Sequence, residues 1–144
     1  MTLYSPRASG LNNSAAYQVS GKPYATASID VPYLSQTPKE LPFPQVTKFV
    51  TITNTKTGAN VPLRVGFSAL GITGSAEPQP TPNGSDHYFV LDNGESYTGE
   101  FRISRLYLLA DEKGTNAQAS VIAGLTGIPA ADLSSNWSGS SGVG

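Results

Sequence analysis

Cysteine is absent from this 144-residue chain. That absence excludes disulfide staples, thiolate metal ligands and thiol nucleophiles together. Histidine occurs once, at His87, so a metal centre built on imidazoles has no second ligand of that kind. Charge is scarce as well. Asp, Glu, Lys and Arg make up 13% of the residues, and the formal net charge is −1. Such a chain exerts no global attraction on nucleic acid, and no Lys/Arg cluster creates a local one. No window reaches the roughly 18 apolar residues of a membrane span. Met1-Thr2-Leu3-Tyr4-Ser5-Pro6-Arg7 lacks the apolar stretch of a secretory signal. Without one, the Asn-x-Ser patterns at Asn12, Asn83 and Asn136 are chance patterns in Asn/Ser-rich stretches. A long amphipathic helix and an internal repeat are also missing.

What is present is β-forming sequence cut by turn residues. Phe43 to Asn54, Phe-Pro-Gln-Val-Thr-Lys-Phe-Val-Thr-Ile-Thr-Asn, is the densest run. Branching at Cβ suits a pleated backbone. Alternation puts Val46, Lys48, Val50 and Ile52 on one face, and Thr47, Phe49, Thr51 and Thr53 on the other. After turn residues 54–60, Val61, Leu63, Val65, Phe67 and Ala69 alternate with Pro62, Arg64, Gly66 and Ser68. These two strands are expected at the centre of a sheet-built core.

Further strands are expected over 15–20, 24–31, 87–92, 96–103, 104–110 and 117–125. In Tyr24–Val31 the small residues Ala25 and Ala27 join Ile29 and Val31 on the buried face. In 96–103, Tyr97, Phe101 and Ile103 point inward. Asn93-Gly94 predicts a tight type I′ hairpin turn. For Ala117–Leu125 a helix stays open as an alternative, given the alanines. Pro129 opens one predicted helical turn through Leu133. Residues 32–44 form a long loop stiffened by Pro32, Pro38, Pro42 and Pro44. A second long loop, 71–86, carries Pro78, Pro80 and Pro82. The fold class is therefore all-β: a single jelly-roll sandwich of about eight antiparallel strands over 15–133. An N-terminal arm (1–14) and a Ser/Gly-rich tail (134–144) flank it.

No catalytic constellation emerges. A glycosidase needs two carboxylates across a cleft, yet Glu100 stands beside Arg102, and Asp92 and Glu95 lie in a turn. No Gly-x-Ser-x-Gly elbow occurs. His87 at a strand edge has the character of a solvated residue. The aromatics are scattered. Tyr33 and Trp137, in loop and tail, suit either sugar stacking or anchoring in a neighbouring subunit. The low charge favours anchoring.

Several blocks, in this order and spacing, resemble a known family. They are Ser20-Gly21-Lys22-Pro23-Tyr24, Phe43 to Asn54, Leu63-Arg64-Val65-Gly66-Phe67, His87-Tyr88-Phe89-Val90-Leu91, Ile103-Ser104-Arg105-Leu106-Tyr107-Leu108 and Ala123-Gly124-Leu125-Thr126-Gly127-Ile128-Pro129. Together they resemble the penton protein of nucleocytoplasmic large DNA viruses and related double-jelly-roll viruses. The resemblance spans residues 20 to 130. It implies a structural, non-enzymatic capsid protein without cofactor or metal, located in the virion. Homopentamers would close the icosahedral five-fold vertices, with neighbouring major and minor capsid proteins as partners and no direct contact with nucleic acid. The proline loop at 71–86 and the tail from Trp137 depart from that pattern. A carbohydrate-binding, fibre or decoration domain is the alternative, and a β-sandwich hydrolase ranks third.

Leu3, Tyr4 and Leu11 in the arm, Tyr33 in the first long loop and Trp137 in the tail are the candidate subunit-interface anchors. Arm and tail are otherwise small and polar, and cannot bury enough surface to order themselves. Deleting residues 1–14 is therefore expected to leave a cooperatively melting sandwich that enters particles poorly. A melting curve and the yield of assembled capsids check the two halves separately.

Overall fold

The computed structural model describes residues 22–73 and 87–133. Eight strands run through them: β1 (Lys22–Val31), β2 (Lys39–Pro42), β3 (Gln45–Asn54), β4 (Leu63–Gly66), β5 (Tyr88–Leu91), β6 (Ser96–Gly99), β7 (Arg105–Ala110) and β8 (Ala117–Pro129). A short helix α1 (Ala69–Thr73) follows β4, and a single 3₁₀ turn (Ala130–Asp132) follows β8.

The pairing obeys one rule. β1 pairs with β8, β2 with β7, β3 with β6 and β4 with β5, all antiparallel. The chain is thus a long two-stranded ribbon, doubled back between β4 and β5. Rolling that ribbon lays β3 against β8 and β4 against β7. Two sheets result, ordered β1-β8-β3-β6 and β2-β7-β4-β5. This is the eight-stranded jelly roll expected from the sequence. β3 and β4 are inner strands, each in a different sheet, so they face each other across the core rather than pairing.

The main core follows the period-two pattern. Val50 and Ile52 of β3, Val61, and Leu63 and Val65 of β4 are buried in it, with Leu106 and Leu108 of β7. Ala117, Ala119, Val121, Ala123 and Leu125 line the inner side of β8. β8 is a strand throughout, which closes the helical alternative. Pro129 also precedes a helical turn as expected, with the Leu133 N–H donating to the Ala130 carbonyl.

Bulges change which face some residues occupy. β1 shifts register between Thr26 and Ile29, where Ser28 takes φ 56°. Ile29 and Val31 point inward as expected, but Ala25 and Ala27 are exposed. Tyr24 packs against the core instead, edge-on to Phe43 at 5.1 Å. β3 shifts twice, between Gln45 and Phe49. Val46 consequently leaves the main core and joins Ile128 and Leu133 in a small second cluster, while Lys48 is half-buried. Thr126 Oγ1 donates to the Val46 carbonyl at 2.7 Å, and Thr47 Oγ1 donates to the Phe101 carbonyl, so both bulged turns of backbone are tied down.

Other expectations are corrected. The loop 32–44 contains β2, a strand flanked by the prolines that masked it. Strand β4 stops at Gly66, and Ala69 begins α1 rather than extending the inward row. Phe67 is only half-buried, ring-on-edge with Phe101 at 5.1 Å. Asn93-Gly94 does make a tight turn, closed by the Glu95 N–H on the Asp92 carbonyl at 2.9 Å. Only Gly94 has positive φ there, so the geometry is not type I′. Nor is the turn a hairpin: β5 and β6 belong to different sheets, and the turn crosses between them.

These positions set two stability expectations. Leu63→Ala, at a fully buried site, should cost about 2–5 kcal/mol. Phe67→Ala should cost less than the 3–5 kcal/mol typical of a fully buried ring. Chemical denaturation of both variants checks the order, and a costlier Phe67 change would contradict the burial.

Candidate functional site

The expected anchors are distributed unevenly. Leu3, Tyr4, Leu11 and Trp137 lie outside the described residues, as do the strand expected at 15–20 and the prolines at 78, 80 and 82. Tyr33, just past β1, is half-buried and packs against the core of its own subunit. That leaves only part of its ring for a neighbour or a sugar.

The residues weighed for chemistry stay apart. His87 is exposed, and its backbone N–H donates to the Gly71 carbonyl. Glu95 accepts a bond from the Asp92 N–H through Oε2, as a turn residue does. Glu100 borders a small depression with Thr47, Lys48, Phe101 and Arg102, where two cations flank one carboxylate. Among the described residues lining that depression there is no second acid. Among the described residues no group of His, Asp and Glu is placed to hold a metal ion, and no helix is long and apolar enough to cross a membrane.

A broad feature among the described residues is the outer face of the β1-β8-β3-β6 sheet. One register row runs Ala25, Ile122, Thr51, Thr98. The rows beside it run Ser120, Thr53, Ser96 and Pro23, Gly124, Phe49. None of these residues is charged. Ile122 is 52% exposed, and Thr51 and Thr98 share a hydroxyl–hydroxyl bond of 2.8 Å. The Phe49 ring lies flat over Gly124, where a Cβ would come within 2.3 Å of it. These three rows are therefore low and neutral, and the first charge beyond them is Asp30, paired with Gln118.

A second feature closes one flank of the sandwich. Phe67, Phe101, Tyr97 and Phe89 form a run of ring contacts at 5.1, 6.2 and 4.9 Å. The inward parity expected for Tyr97 holds, yet its place on an edge strand leaves it 44% exposed.

The opposite sheet is covered instead. Ile72 of α1 is buried with Leu34 and Leu109 on its outer side. Arg64, which alternation assigned to an outward face, is buried there. Its Nε donates to Asp111 at 2.7 Å, and one terminal nitrogen donates to the Ile72 and Thr73 carbonyls at 3.2 and 3.0 Å. The guanidinium lies 4.2 Å from the Tyr88 ring centroid. A cation at a helix C-terminus satisfies carbonyls that the helix itself cannot, so Arg64 fixes where α1 ends. A buried Asn54 works similarly at one end of the sandwich, donating through Nδ2 to the Val61 and Leu91 carbonyls at 3.0 Å each. Asn93 adds two more bonds there, to the Val61 N–H and the Ala59 carbonyl.

Sequence reasoning missed the neutral face because no single strand displays it. Its members come from four strands, and only their register places them side by side. No family profile, no curated protein and no solved structure matches the chain.

The Arg64 clasp yields a graded expectation. Arg64→Ala should lower stability by about 3 kcal/mol, since it strips a buried network of its only cation. Asp111→Asn keeps an acceptor at a partly exposed site and should cost about 1 kcal/mol. Urea titrations that show both changes within surface scatter would contradict the clasp.

Proposed function

We propose that this protein is a structural capsid subunit of the penton type, whose pentamers close the five-fold vertices of an icosahedral shell. The observation that carries the reading is a jelly roll whose β1-β8-β3-β6 sheet carries three adjoining register rows free of charge across the middle of its outer face, with Asp30 only at their margin. Protein–protein contacts are depleted of charge at their centres. A flat face of Ala, Ser, Thr, Gly and Ile lets a neighbour approach closely and desolvates no ion. The low overall charge and the order of the sequence blocks support the same reading. A five-fold ring repeats one heterologous interface until it closes, and the neutral face then meets the surrounding capsid proteins.

A sugar-binding role fits less well. It needs an open aromatic platform with polar groups beside it, whereas Tyr33 is partly committed to its own core.

Native mass spectrometry of the purified chain is expected to show five copies, and a map of the assembled particle should place them at the vertices. A monomer or trimer that binds glycan would sink the reading. Ile122→Glu puts a carboxylate in the middle of the neutral face at a site already 52% exposed. Its melting temperature should stay close to the parent's, because exposed substitutions usually shift stability by only about 0.5 kcal/mol. Its yield in assembled particles should fall.

A further inference from the structure

Free strand edges invite pairing with another chain unless something blunts them. The two flanks of this jelly roll differ in that respect. One is formed by β1 and β2. β1 carries Lys22, Pro23, Asp30 and the bulge at Ser28, and β2 carries Lys39, Glu40 and Pro42. The other flank is formed by β5, Tyr-Phe-Val-Leu, and β6, Ser-Tyr-Thr-Gly. Neither has a charge, a proline or a register shift. Shortness does not explain the contrast, since β2 has four residues like β5 and β6. Val90 and Tyr97, 41% and 44% exposed, stand on the unprotected strands. Among the described residues β6 pairs only with β3, and β5 only with β4.

We propose that the edge of β6 receives residues 15–20 of a neighbouring copy as an added strand. This rests on the reading of the chain as a ring-forming subunit, and it names the contact that links one copy to the next. Ala15-Ala16-Tyr17-Gln18-Val19-Ser20 has no charge and no proline. It alternates Ala15, Tyr17 and Val19 against Ala16, Gln18 and Ser20. Beside β6, Tyr17 and Val19 extend the apolar row that Tyr97, Phe89 and Phe101 begin. The backbone supplies the affinity and the aromatic flank the register, as in other cases of strand addition.

The segment cannot fill its own subunit's edge. β1 and β6 are opposite edges of one sheet. A strand added outside β6 would lie four strand spacings from β1, about 19 Å. Ser20 precedes Lys22 by two residues, which span at most about 7 Å. The proposed acceptor is therefore the β5/β6 flank of another copy. Each copy gives one strand and receives one, which is a head-to-tail contact able to close into a ring.

Two full-length variants separate giving from receiving. Tyr17→Asp with Val19→Asp spoils the donated strand and leaves β6 intact. Ser96→Lys with Thr98→Lys blunts the β6 edge and leaves the segment intact. Native mass spectrometry is expected to show each alone as a monomer, and an equimolar mixture as a 1:1 pair and nothing larger. Should the Lys pair lower the melting temperature, Ser96→Lys alone, at an exposed site, repeats the test. Homodimers of the Asp variant would mean that β6 edges join each other, and would overturn the proposal. A mixture that stays monomeric would overturn it as well. The copy number of the unmodified assembly tests the vertex reading separately. A ring of another size would sink that reading and leave strand exchange standing, whereas pentamers without the 1:1 pair would do the reverse.

Discussion

Two sheets can share one dry core only if their inner faces match in volume, and β8 sets that match here. Its inner row is Ala117, Ala119, Val121, Ala123 and Leu125, mostly small. The opposite sheet answers with Leu41, Leu63, Leu106 and Leu108, mostly large. Interiors pack at crystal-like density, so a methyl added on one side must be removed on the other. β8 also pairs on both sides, with β1 and with β3. The last strand therefore unites the first and third strands of the sheet while fixing how near the sheets approach.

Polar clasps finish what packing begins. Besides the β3 bulges, side chains satisfy backbone groups at the end of α1 and around the crossing between β5 and β6. Arg64 serves the first and Asn54 with Asn93 the second. A buried polar side chain is costly without partners and specific with them. These clasps therefore determine where loops leave the sandwich as well as adding to its stability.

The surfaces divide in the same way. One sheet is roofed by α1. Among the described residues nothing of the kind covers the other, whose middle rows are uncharged and low, and one flank carries edges without charge or proline and aromatic rings between them. In the proposed role of a capsid subunit, the chain would need several faces toward different neighbours at once. The structure offers two of distinct character, one suited to face-on packing and one to main-chain pairing.

The sequence by itself determined the strand-rich class, the inward row Val61, Leu63 and Val65, and the tight turn at 93–94. It could do so because alternation and turn chemistry act between adjacent residues. Only the tertiary structure decided which sheet each strand joins, so the Asn93-Gly94 turn became a crossing rather than a hairpin. It also decided the bulges, which move Tyr24 inward and Val46 into a separate cluster. Arg64 reads as an outward residue until α1 folds over it, and Lys39–Pro42 reads as loop until β7 lies beside it. Register, sheet membership and the covering of a face depend on hydrogen bonds between residues distant in the chain, and no local pattern encodes those partners.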